Sequence, residues 1–443
     1  MSLHKTYLST SSVALFSKGF NILSTFAILW LQNAVMVKEN FGLFMIAFSL
    51  TFTVSLVLST GFQALILYHV SRRVDMDPTE VRGVAGQAFW IACLLGLLFA
   101  VLLYLCAGPL AALMGHPPLQ LWLEDMALFI PINTAAIVLP AYSRARQRIK
   151  ETVFFQEVFL NFLRMLFIGL IWVFGMPERL VSEAYIWSAG LPVIILFASA
   201  PVWPSLRRAF LTRWDLMYGL KSTAFQILNQ PFRGLDIVVV GAFASAGVVA
   251  DYSMAVRLAQ LLWVPKHAVA QLQVPRMGAL LEKGDKAQLM LEYDALRCLT
   301  LVAVFLGCAF LLLFGSPLLG LFGDYESALP PLYILAAASV VRTGYGAAGD
   351  LIAMIAYPKG SAMISVISVV ITLGGTALLV PYFGAIGGAY AILIGTLQMF
   401  AGFVAVIQRA ENIQLMPPFI LLMNFLPSLV LMAAASFVMP APV

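Results

Sequence analysis

The sequence predicts an all-α integral membrane protein made of two parallel six-helix lobes with about one extra helix at its C-terminal end. Three observations predict it. Of 443 residues, 61% are hydrophobic and 11% charged, and the mean hydropathy is +0.94, far from the balance of a soluble domain. Apolar stretches long enough to cross a hydrocarbon core of about 30 Å as helices recur along the chain. Their order also repeats: Gly108-Pro-Leu-Ala-Ala-Leu-Met-Gly115 returns some two hundred residues later as Ser316-Pro-Leu-Leu-Gly-Leu-Phe-Gly323. Lys150-Glu151-Thr152 aligns in the same way with Lys359-Gly360-Ser361, and Phe174-Gly175 with Phe383-Gly384.

The first span is expected at 9–33. Lys5 precedes it, but the run is long, holds Lys18 and lacks a small-residue cleavage site, so it reads as a retained helix. Spans at 41–70, 83–107, 120–142, 152–175 and 183–204 complete a first lobe, 1–209. Spans at 217–243, 248–274, 290–315, 327–352, 358–381 and 385–408 make a second, 210–410. An additional membrane segment near 416–438, within 411–443, carries Pro417, Pro418 and Pro427, which leaves a full or an incomplete crossing open. The strict alternation of a membrane barrel is absent, so these spans are helices.

The connections are short and no soluble domain is inserted, which leaves no room for a large catalytic site outside the membrane. No P-loop, nucleophile elbow or dinucleotide fingerprint occurs. An enzyme and an ATP-driven pump are therefore not expected. His4, His69, His116 and His267 have no metal-ligand spacing, and Cys93 with Cys106, like Cys298 with Cys308, are too far apart on one helix for a disulfide. No cofactor is implied.

Charge sets the orientation. With a cytoplasmic N-terminus, that side holds Lys5, Arg72, Arg73, Arg82, Arg144, Arg146, Arg148, Lys150, Arg207, Arg208, Arg213, Arg276, Lys283, Lys286, Lys359 and Arg409, and the other side only Lys38 and Arg179. This is the positive-inside asymmetry. The net charge of +5 is thus mostly topology, dispersed over loops that face anionic lipid, and no nucleic-acid partner follows from it. Six crossings return the chain to its starting side, so the two lobes are parallel repeats, an architecture found mostly in transporters.

Ionisable groups within the spans cost several kcal/mol unless paired or hydrated, which makes each a functional candidate. Lys221, Glu292 and Asp294 lie near helix ends and read as interfacial, with Arg297 intermediate. Ser222, Gln226, Asn229, Arg233 and Asp236 follow intervals of three and four, which predicts a polar stripe on one helix. Glu157, Asn161 and Arg164 on the fifth span, and Lys18, Asn21 and Thr25 on the first, repeat the pattern. Pairing of Arg233 with Asp236, Arg164 with Glu157 and Arg342 with Asp350 would make these charges structural. Lys18, Arg257 and Lys266 have no acidic neighbour of comparable depth on their own helices. A cavity of net positive charge, suited to phosphate, is the expectation.

The run Leu235-Asp236-Ile-Val-Val-Val-Gly241, then Asp251-Tyr252-Ser-Met-Ala255-Val-Arg257-Leu258 and Pro275, resembles the start of the second half of bacterial polysaccharide flippases. Gly384-Ala-Ile-Gly-Gly-Ala-Tyr390 is similar to the glycine-rich beginning of their twelfth helix, and Asn40-Phe41-Gly42-Leu43-Phe44 with Ser59-Thr60-Gly61-Phe62 to their first-half signatures. Together these motifs resemble the Wzx-type O-antigen and exopolysaccharide flippases of the multidrug/oligosaccharidyl-lipid/polysaccharide (MOP) superfamily, whose fold is MATE-like. The resemblance implies movement of an undecaprenyl-pyrophosphate-linked oligosaccharide from the cytoplasmic to the periplasmic leaflet of the bacterial inner membrane, through a central cavity lined with basic residues. It also implies membrane lipids and polysaccharide polymerase machinery as partners, and H⁺ or Na⁺ as coupling ion. Arg257 and Asp236 fall inside matching motifs; Lys18, Arg164, Arg233, Lys266 and Arg342 rest on helical position, as do the ion-coupling candidates Glu157 and Asp350. A cation-coupled multidrug exporter and a lipid II flippase of the same fold, and a membrane enzyme acting on lipid-linked sugars, are the rival readings.

Overall fold

The structure is a computed structural model that describes residues 2–72, 78–145, 154–199, 211–229, 234–266, 283–354 and 358–411, with a few single positions between them. The chain is all-α, as its hydropathy predicts. The helices are α1 Ser2–Val35, α2 Lys38–Arg72, α3 Pro78–Leu113, α4 Leu119–Ala127, α5 Phe129–Ala145, α6 Leu160–Val173, α7 Leu180–Ser199, α8 Arg213–Asn229, α9 Leu235–Phe243, α10 Ala246–Gln260, α11 Lys286–Gly320, α12 Leu329–Gly344, α13 Ala348–Met354, α14 Pro358–Phe383 and α15 Ala385–Glu411. Among the described residues seven helices are long and apolar enough to cross a membrane, and α4 with α5, bent by 42°, form an eighth candidate. The segment near 416–438 lies outside the described residues.

The chain divides into two compact units, Met1–Ile227 with Arg233–Val238, and Leu228–Phe232 with Val239–Val443. In the first, α2 packs against α5 and α3, and Leu65, Val84, Phe89, Leu139 and Tyr142 form a shared core. A second aromatic group joins α2, α5 and α7, with Phe44, Phe48 and Phe129 each meeting Tyr185 edge to face. In the second unit α14 pairs with α15, which also packs on α12, and Leu289, Tyr293, Tyr345, Leu351 and Phe403 fill the core. Leu98, Leu102 and Leu105 on α3, and Leu299, Val302, Leu306 and Leu313 on α11, stay exposed. Such stripes match lipid as solvent.

The spans expected at 217–243 and 327–352 are not continuous helices. The first is interrupted ahead of α9 at Gly234, which adopts φ +103° and where a Cβ would meet Ser49 at 3.1 Å. Ser222, Gln226 and Asn229 of the expected polar stripe therefore lie on α8 and Asp236 on α9, not on one continuous helix, while Arg233 lies outside the described residues. The second breaks after α12, where Gly346 turns the chain at φ +52° before α13 begins. The eighth span also changes character: α10 tightens into a 3₁₀ turn, Leu261–Trp263.

Candidate functional site

Cationic side chains collect at these irregular points. In the second unit, Trp263 and Lys266 follow α10, while Ser339, Arg342 and Tyr345 recur every third residue at the end of α12. The two groups interlock. The Arg342 guanidinium lies 4.3 Å from the Trp263 ring centroid, and the Lys266 ammonium lies 4.1 Å from that of Tyr345. Lys266 Nζ also donates to the Arg342 carbonyl at 2.8 Å, one of the last four carbonyls of α12, which have no partner within the helix. The negative end of the helix dipole favours cations there.

Arg297 on α11 completes the neighbourhood. Its side chain is only 5% exposed, pairs with Asp294 at 2.8 Å and lies 5.6 Å from the Tyr293 ring. Tyr293 Oη in turn donates to the Tyr345 carbonyl at 2.5 Å. Asp294, read as interfacial from sequence, does keep 43% of its side chain exposed, whereas Arg297 is buried.

In the first unit, Arg164 of α6 lies over the Tyr185 ring at 3.9 Å, and its Nε donates to Ser188 Oγ at 3.3 Å. Gln32 of α1 donates to Tyr185 Oη at 3.1 Å, so α1 and α6 join α2 and α5 at that ring of α7. Glu157 sits in a π-helical turn, Phe154–Phe159, where its carbonyl accepts from Asn161 Nδ2 at 3.0 Å. π-Turns in α-helices are frequent at functional sites.

The remaining candidates lie apart or out of view. Asp236 is buried in the first turn of α9, and Arg257 is half-buried in the last turn of α10. Lys18 on α1 and Asp350 on α13 have described backbone but side chains outside the described residues, and Arg233 lies outside them altogether. The structure thus brings together Lys266 and Arg342. It adds Arg297, read as intermediate from sequence, and Trp263, Tyr345, Tyr185 and Ser188, which did not stand out there. The signal for the first two was the three-residue spacing of ring and cation, Trp263 to Lys266 and Arg342 to Tyr345.

Residues 35–307 match a family model described as polysaccharide biosynthesis protein. The chain belongs to this family. A relative, the probable low-salt glycan biosynthesis flippase Agl15 of Haloferax volcanii, is 25% identical over 279 residues, which are 60% of this chain. That alignment spans 57% of the relative's own length. Among solved structures, the lipid II flippase MurJ in an inward closed conformation has a TM-score of 0.75 at 14% identity, covering 98% of this chain and 94% of that one. An inward-facing multidrug resistance MATE family transporter of the MOP superfamily scores 0.73 at 18% identity, covering 91% and 98%. A MOP superfamily transporter from Pyrococcus furiosus, described as having a binding pocket of reverse polarity, scores 0.66 at 17% identity, covering 91% and 95%. At these identities the likeness establishes the fold alone, the one these transporters share. The kinship read from the sequence motifs is the one these matches return.

Proposed function

We propose that the protein is a flippase that moves an undecaprenyl-pyrophosphate-linked oligosaccharide from the cytoplasmic to the periplasmic leaflet of a bacterial inner membrane by alternating access. Its N-terminus is cytoplasmic. Lys18, Arg164, Arg233, Arg257, Lys266 and Arg342 receive the pyrophosphate-sugar headgroup, and Glu157, Asp236 and Asp350 are the carboxylates that couple transport to H⁺ or Na⁺. Family membership and the MOP fold support the flippase reading. The observation that carries the anionic headgroup is the meeting of Lys266 and Arg342 where α10 gives way to a 3₁₀ turn and α12 ends at a left-handed turn. Interrupted helices are where membrane transporters place their substrates, since irregular backbone there has to face protein or water.

Charge-assisted hydrogen bonds to phosphate are worth about 1.5–3 kcal/mol each. Losing one cation should weaken headgroup binding roughly 10- to 100-fold. In cells carrying only the variant protein, Arg342→Ala and Lys266→Ala are expected to lose surface polysaccharide at normal membrane abundance. Normal polysaccharide in the double variant would overturn the cationic site, whereas loss of abundance restored by Arg342→Lys would assign these residues to folding.

A further inference from the structure

We propose that Trp263 and Tyr345 are positioning residues, a reciprocal pair of aromatic clamps that hold Arg342 and Lys266 ready for an anionic headgroup. This rests on the proposed function and deepens it. Each of the two elements offers a ring and a cation three residues apart, and each ring takes the other element's cation. The crossing ties the end of the tenth span to the 3₁₀ turn of the eighth.

Both rings are themselves held. The Trp263 indole Nε1 donates to Ser339 Oγ at 2.9 Å, one turn before Arg342, so the ring's face is fixed with respect to the guanidinium it carries. Tyr345 is held through its backbone, whose carbonyl accepts from Tyr293. At the next residue, Gly346 provides the left-handed turn; a Cβ there would sit 3.2 Å from Tyr293 Oη, so a side chain would push the clamp away from its support.

The choice of aromatic partners has an electrostatic consequence. A ring face attracts a cation through its quadrupole but carries no net charge, so the cation keeps its field. A carboxylate cancels that field, as Asp294 does for Arg297. Arg342 and Lys266 each have a ring among their contacts, and Arg297 has an acid. Long cationic side chains also lose rotamer freedom on binding a ligand, and side chains already held in place lose less. The clamps therefore preorganise the two side chains for phosphate, and as rings they add no negative charge of their own.

The test uses the full-length protein in lipid nanodiscs, with inorganic pyrophosphate and geranylgeranyl pyrophosphate as probes, binding measured by calorimetry and folding by thermal melts. Trp263→Leu and Tyr345→Leu are each expected to weaken binding of both probes by about tenfold at an unchanged melting temperature, and Trp263→Phe and Tyr345→Phe, which keep a ring, to stay within about threefold. Ser339→Ala, which frees the indole without removing it, should weaken binding about threefold and serves even where a leucine variant does not fold. In an Arg342→Gln background, Trp263→Leu should have no further effect, because the ring acts through that guanidinium. Undiminished binding by the two leucine variants or by Ser339→Ala, beside loss in Arg342→Gln and Lys266→Gln, would overturn the clamps alone. An equal effect of Trp263→Leu in the Arg342→Gln background would overturn them too, by showing that the ring serves folding. Undiminished binding by Arg342→Gln with Lys266→Gln would overturn both the clamps and the cationic site they rest on.

Discussion

Asp215 lies in the first turn of α8 and is shared by two helices. Its Oδ2 accepts from the Thr212 backbone N–H at 2.7 Å and from the Thr212 hydroxyl at 2.8 Å, while the Thr212 hydroxyl accepts from the Asp215 N–H at 3.3 Å. That reciprocal arrangement is a capping box with Asp in the acidic place. Its other oxygen meets His69 Nε2, at the end of α2, at 2.6 Å, and both side chains are buried. Burial pushes the carboxyl up, but the hydrogen bonds from Thr212 and His69 outweigh it and hold the group below the ordinary carboxylate range. A carboxylate with a depressed folded pKa contributes stability above its unfolded value, about 3.9, and loses it as pH falls through the lower folded one. Asp215→Asn is therefore expected to cost about 2 kcal/mol at pH 7. In thermal melts the gap to the parent protein should persist at pH 5 and narrow only below about pH 4. A gap that had already closed at pH 5.5 would show that the carboxylate is not held in this way.

The same pair of helices is drawn together at a second level, which shows how small residues set an element's position. A Cβ on Gly61 of α2 would meet the Gly219 carbonyl oxygen of α8 at 2.5 Å, as well as the Thr223 hydroxyl. The backbones can approach this closely only because neither position has a side chain, the usual device where lipid gives helices no hydrophobic reason to associate. With Ser49 against Gly234 at one end and His69 against Asp215 at the other, α2 is fastened along its length to the interrupted seventh segment. Gly61→Ala is expected to destabilise the protein by about 1–3 kcal/mol, since the contact is with backbone that cannot rotate away. Gly19→Ala is the matched control on α1, where an added Cβ meets nothing within 4 Å. Detergent melting temperatures compare the two, and equal melting of both variants would mean that α2 and α8 are not in intimate contact at Gly61.

At the scale of the molecule, the twelve spans read from hydropathy for residues 9–408 each have helix in the structure, because a run of some 20 apolar residues has almost no other stable form in lipid. The interruptions were harder to read. Hydropathy runs across Gly234 in the seventh span and across Tyr345, Gly346 and Ala347 in the tenth, where only a positive φ distinguishes a turn from a tolerated helical glycine. Lys266 and Arg342 were legible as charges at membrane depth. Their mutual contact was not, because 76 residues separate them and each is held by an aromatic residue that looks like ordinary core.

The orientation proposed across the membrane rests on the same large-scale pattern, the concentration of Lys and Arg on alternate loops, and with it stands the direction proposed for transport. Two described turns give it a direct reading. Met176 is exposed in the turn before α7, beside Arg179, whose guanidinium is engaged by Asp125 through two hydrogen bonds at 2.9 and 2.7 Å. Lys283 is exposed in the turn before α11. With Cys106 and Cys298, the exposed native thiols, replaced by serine and alanine, Met176→Cys should react with a membrane-impermeant maleimide in intact cells. Lys283→Cys should react only after the membrane is permeabilised. The asymmetry of basic loops makes the reverse result costly, since several arginines would then have crossed the membrane against the direction that retains them. Labelling of Lys283→Cys but not Met176→Cys in intact cells would invert the whole molecule and the direction proposed for transport. Equal labelling of both would break the assignment of these two turns to opposite faces.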